Sequence, residues 1–185
     1  MVREKMIFFN INGCIGRGAY EEAQFPTAES FVEHLDYLGI EKSLVWHIAA
    51  RDIHPSYGNR RLLEEIESAK LGDRLLPAFV ITPACFFEYT TSHFIREYLA
   101  SGQVRALQII PAVSRFEIRQ LERLLSCIAE YKPVLLWDCR GQKNEFEIRD
   151  FEYLACKFPG ISFVVCQKMW GGFGSVMDLL WRCPN

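Results

Sequence analysis

The feature that most constrains this chain is a rhythm. A short, near-continuous apolar run followed by a segment with helical spacing recurs six times, at intervals of roughly 30 residues, the size of one strand–helix repeat. Strands that read as unbroken apolar runs are buried on both faces, as in parallel sheets covered by helices. The rhythm therefore predicts an α/β fold, either an open doubly wound sheet or part of a (β/α)8 barrel. The whole chain, 1–185, reads as a single domain, because no linker or low-complexity stretch interrupts the pattern. A complete eight-unit barrel usually needs about 250 residues. The expectation is therefore a parallel barrel of TIM type that is incomplete, with about six units and an uncovered edge at the sixth strand. Self-association or marginal stability would follow from that edge.

The first strand is Ile7-Phe8-Phe9-Asn10-Ile11-Asn12, broken at Gly13 by a glycine-rich loop. Pro26-Thr27 opens a helix capped by Thr27, with Glu29 in its first turn and Gly39 at its end. Ser43 to Ile48 is the second strand, and a polar loop through Pro55 and Gly58-Asn59 leads to a helix marked by Leu62, Leu63 and Ile66. The later strands are Leu75–Thr82, Val104–Ile110, Val134–Asp138 and Phe163–Gln167. Between them fall helices at Phe94–Leu99, Ile118–Ile128 and Phe146–Phe158, with a last one from Ser175 to Trp181.

Half of the residues are apolar, a quarter are charged, and the net charge is −2. That is the balance of a globular protein, with no basic block to neutralise phosphates, so nucleic acid is an unfavoured partner. No apolar run has the length of a membrane span or the layout of a signal peptide, and the expected location is the cytoplasm. Seven cysteines with no C-x-x-C among them favour neither disulfides nor structural zinc, and read as buried and inert.

Residues two apart on a strand share a face, so Asn10 and Asn12 should point the same way, at the mouth where barrel enzymes place their active sites. His47 ends the second strand and is a candidate base or anion donor; a histidine satisfied by its neighbours is the plainer reading. Asp138 ends the fifth strand, where a carboxylate serves as a base, holds a cation or pairs with Arg140 or Arg105. Arg17, Arg51 and Arg140 all fall in loops after strands, where guanidinium groups suit a carboxylate ligand; scattered surface arginines read equally well. Asn59 reads as a helix cap. Trp170-Gly171-Gly172-Phe173-Gly174 reads as an aromatic loop on the same side.

Taken together, the amides of strand one, Gly16-Arg17, Leu38-Gly39-Ile40, Val45-Trp46-His47, Gly58-Asn59-Arg60, Leu75-Leu76-Pro77-Ala78 and Arg105 to Pro111 resemble the amidohydrolase-related metal-dependent hydrolases, which have a TIM-barrel fold. In that family a His-x-His pair on the first strand and histidines after strands five and six bind a divalent metal, with an aspartate after strand eight. The first pair falls here on Asn10 and Asn12, the strand-five position near Asp138, and the strand-six position near Gln167. Neutral amides are weak zinc ligands, so no cofactor is expected, although the resemblance implies zinc or manganese. It also implies hydrolysis or decarboxylation of a small carboxylate-bearing compound; the candidate catalytic groups are Asp138 and His47, and the candidate ligand contacts Asn10, Asn12, Arg17, Arg51 and Gln167. The alternative is a catalytically silent binding or interaction module of the same fold.

Overall fold

A computed structural model describes residues 7–20, 24–139, 146–166 and 173–183. Six strands lie in the order β1 to β6 without reversal, and the registered pairs are parallel. A doubly wound sheet would reverse its strand order at a switch point, so that alternative is excluded. Contacts cluster into two compact units, Met1–Ala78 and Phe79–Asn185.

The first unit holds β1 (Phe8–Ile15), α1 (Ala28–Leu38), β2 (Ile40–His47), α2 (Ile48–Asp52), α3 (Pro55–Ser68) and the start of β3 (Leu75–Val80). α1 begins and ends as its caps dictate. The Thr27 hydroxyl accepts from the Ser30 amide at 3.2 Å, and Gly39 takes the left-handed turn at φ 69°. Phe31, Val32 and Leu35 form its buried stripe.

Three boundaries differ from the sequence reading. β1 does not stop at Asn12: Gly13, Cys14 and Ile15 pair with Val45, Trp46 and His47 of β2. Backbone pairing to β2 holds this stretch extended despite its glycine. The expected loop at Gly58-Asn59 is the interior of α3, which starts at Pro55 after the His54 cap. Asn59 is buried at 1% exposure inside α3, whose cap is His54 instead. Finally, β2 passes directly into α2, which the sequence reading placed in a loop.

The second unit continues β3 and adds α4 (Ala84–Phe87), α5 (Tyr89–Ala100), β4 (Ala106–Ile109), α6 (Pro111–Ser114), α7 (Glu122–Ile128), β5 (Val134–Asp138), α8 (Phe146–Lys157), β6 (Ser162–Cys166) and α9 (Phe173–Arg182). The stripe expected over Ile118–Ile128 begins as a 3₁₀ turn at Ile118–Leu121 before α7. Aromatic contacts identify which strand face meets the helices. Trp137 packs on Phe151 of α8 at 4.5 Å between ring centroids, and Phe151 meets Phe163 edge-on at 5.1 Å. By alternation, Gln108, Leu136, Asp138, Val164 and Cys166 face away from α8. Among the described residues no helix is long and apolar enough to cross a membrane.

Candidate functional site

In the first unit the candidate residues are brought into pairs that hold the structure together. Between Asn10 and Gly13, β1 advances three residues while β2 advances two, from Ser43 to Val45. This is a β-bulge, and it turns the following side chains to the opposite face. Asn10 donates from Nδ2 to Ser43 Oγ at 3.0 Å. Asn12 Oδ1 accepts from Trp46 Nε1 at 3.1 Å. Ser43 and Trp46 are three apart on β2 and so lie on opposite faces. The expectation that Asn10 and Asn12 share a face is thereby corrected, and the physical reason is the extra residue in β1.

His47 is engaged at both ring nitrogens. Nδ1 accepts from the Ala49 amide at 3.1 Å, capping α2, and Nε2 lies 3.4 Å from Glu65 Oε2 of α3. The other Glu65 oxygen accepts from the Ala28 amide at 2.9 Å, at the start of α1. Strand, helix and helix are thus joined through one imidazole and one carboxylate. The His47 ring also explains Gly16, whose φ is +89° and whose missing side chain would overlap that ring.

Burial works to raise the Glu65 carboxyl, but the hydrogen bonds from His47 and Ala28 outweigh it and hold it below its ordinary value of 4.5. A carboxyl whose folded value is lowered adds stability above its unfolded value and loses it as pH falls through the folded one. The stability difference between wild type and Glu65→Gln should therefore stay constant above about pH 4.5 and narrow below it. Urea denaturation across a pH series measures that difference.

Arg51 and Asp52 form an ion pair at 2.6 Å, with side chains only 9% and 2% exposed. The second Asp52 oxygen accepts from the Ala19 amide at 3.1 Å, docking the chain that follows β1 onto α2. Arg17 is exposed. Arg140 and Gln167 lie outside the described residues, as does most of the Trp170–Gly174 loop.

In the second unit Asp138, 1% exposed, ends β5 on the face away from α8. Its register partner is Cys166, whose thiol is pushed up to about 11 by burial first and by the Asp138 charge second. Gln108, fully buried, lies on the same strand face. Its Nε2 donates to Ile109 O at 3.3 Å, while its buried Oε1 has no hydrogen-bond partner among the described residues. A buried acceptor left unpaired costs about 1–3 kcal/mol. The sequence reading passed over Gln108, although a lone amide within an otherwise apolar strand was the available signal.

The other feature missed from sequence is a cleft of about 560 Å³. It lies among the segments that follow β3 and β4 at their C-terminal ends. Its walls include Thr82, Phe87, Ser114, Phe116, Arg119 and Arg123. The Arg119 guanidinium carbon sits 4.1 Å from the centre of the Tyr153 ring, which fixes its position. Glu122, also at the cleft, is neutralised by Lys157 at 2.7 Å. The lining therefore combines aromatic surface with a positive charge excess, and its volume suits a small molecule.

Comparison with known proteins rests on structure alone. No protein-family model matches the chain, and no curated protein matches it. An uncharacterised TIM-barrel protein from Bordetella bronchiseptica superposes with a TM-score of 0.70, covering 97% of this chain and 73% of that one, at 14% identity. The fold is that of a TIM barrel. With six strands among the described residues against the eight of a closed barrel, the fold is an incomplete α/β barrel.

The metal chemistry of the resembled family does not fit the residues present. Its first ligand pair must converge on one ion, whereas Asn10 and Asn12 point to opposite faces and are bonded to Ser43 and Trp46. Among the described residues, no three of His, Cys, Asp and Glu are grouped so as to hold a metal.

Proposed function

We propose that this chain is an amidohydrolase-like barrel protein that binds a small compound with an apolar, aromatic body and a carboxylate, without a metal in the recognition. The observation that carries this reading is the cleft beside the C-terminal ends of β3 and β4, where barrel proteins hold their ligands. Arg119 and Arg123 suit a carboxylate through charge-assisted hydrogen bonds, while Phe87 and Phe116 offer aromatic surface to a ring.

Titration calorimetry with benzoate and its neutral isostere benzamide tests the reading. Benzoate should bind at least tenfold more tightly, about 1.4 kcal/mol. Arg123→Gln should remove on the order of tenfold of that affinity, the scale of a hydrogen bond to a charged group, and EDTA should change nothing. Equal binding of the two probes, or of neither, would sink the proposal.

A second reading, turnover of such a compound by hydrolysis or decarboxylation, has one observation in its favour. Asp138 is a buried carboxylate at the C-terminal end of a barrel strand, where catalytic groups cluster. Product formation from a bound carboxylate, abolished in Asp138→Asn while binding is retained, would carry it.

A further inference from the structure

The two ends of a thiol pair meet where α9 packs on α8. Cys183 follows α9 directly, its amide donating to Leu179 O at 2.9 Å and its Sγ donating to Glu152 O at 3.7 Å. Glu152 is on α8, and Cys156 lies one turn further along the same helix face. Cys183 Sγ thus rests on the carbonyl one turn before Cys156, which sets the two thiols side by side on that face. Arg182 holds the same junction by charge, with its guanidinium 3.3 Å from Glu152 Oε1 and 3.0 Å from Asp178 Oδ2. Cys156 is exposed while Cys183 is buried. This asymmetry gives the pair one sulfur open to reagents and one sheltered behind it.

We infer that Cys156 and Cys183 form a reversible disulfide that staples the end of α9 to α8 when the protein meets a peroxide. The Cys156 thiolate attacks the peroxide O–O bond, giving a sulfenic acid at Cys156 and releasing hydroxide or alkoxide. The Cys183 sulfur then attacks the sulfenic sulfur, the S–S bond forms, and the hydroxyl leaves as water. With hydrogen peroxide, two thiols are oxidised to one disulfide and the peroxide is reduced to two waters. A dithiol reductant reverses the step by exchange. Burial first, and the Cys156 sulfur second, push the Cys183 thiol up to about 12. Cys183 therefore waits as the resolving group, and exposed Cys156 meets the oxidant.

The test treats the folded full-length chain with stoichiometric hydrogen peroxide in a Cys127→Ser background, since Cys127 is also exposed and would otherwise link molecules together. Remaining thiols are alkylated and the peptides mapped by mass spectrometry. The expected result is a linked peptide joining Cys156 to Cys183 in the monomer, two hydrogens lighter and cleaved by dithiothreitol. In Cys183→Ser the oxidised Cys156 should instead be trapped by dimedone. Cys156 oxidised beside an alkylated Cys183 in the parent protein overturns the inference, as does a link that forms only in urea.

Discussion

Gly58→Ala is expected to destabilise the first unit by about 3 kcal/mol, the upper end of the usual range for overpacking, and on denaturant titration its midpoint should fall accordingly. The sign is the point. Alanine in place of glycine inside an exposed helix normally stabilises by about 1 kcal/mol. Gly58 sits in α3 where the helix crosses α2, and a Cβ there would overlap the backbone nitrogen and Cα of Ala50. Backbone has no rotamer with which to yield, so the two helices must separate. They carry His47's cap, the Arg51–Asp52 pair and Glu65, so their separation would loosen each of these. Gly72→Ala is the control: nothing lies within 4 Å of the added carbon, and its midpoint should barely move.

Asp52→Ala should cost about 3 kcal/mol, the range seen when one member of a buried ion pair is removed. Two losses coincide there. The Arg51 guanidinium, at 9% exposure, loses the carboxylate at its Nε, and the Ala19 amide loses its acceptor. Asp52→Asn keeps an acceptor for Ala19 and should cost about half as much. Adding Arg51→Met to Asp52→Ala should recover part of the loss, since the buried guanidinium that lost its carboxylate is then removed as well. Urea denaturation of the four proteins measures this. A double variant no better than Asp52→Ala would show that the Ala19 contact, and not the charge, dominates.

Much of the fold could be read from residue order because local and tertiary preferences agree over most of the chain. The fifth strand falls at Val134–Asp138 as expected, since its apolar run is bounded sharply. α1 is bounded by Thr27 and Gly39 for the same reason. Disagreement came where tertiary contacts override local punctuation. Gly58 and Asn59 look like a turn in isolation, but they are held in a helix by packing against α2. The His54-Pro55 pair, a cap followed by proline at the first helical position, was the better marker of where that helix begins.

The candidate site was less legible. His47 could be picked out as the end of a strand, but not its tie to Glu65, because the start of α3 was placed too late. Arg51 could be picked out as a loop cation, but not its closure onto the neighbouring aspartate. Arg119 and Arg123, four apart on one helical face, are the pair that lines a cleft. In sequence they are indistinguishable from a solvated surface, since the cleft is made by residues from two separate loops.

The extra residue in β1 has a consequence for any attempt to build a metal centre into this scaffold. Inserting one residue changes the parity of everything beyond it, so positions that count as even on one side of Ile11 count as odd on the other. Histidines written in at 10 and 12 would look out through opposite sides of the sheet and could not grip the same ion. Beyond the extra residue the alternation resumes, so a ligand pair would have to be written at 12 and 14, which share a face. The obstacle is one of counting, and no choice of ligand chemistry removes it.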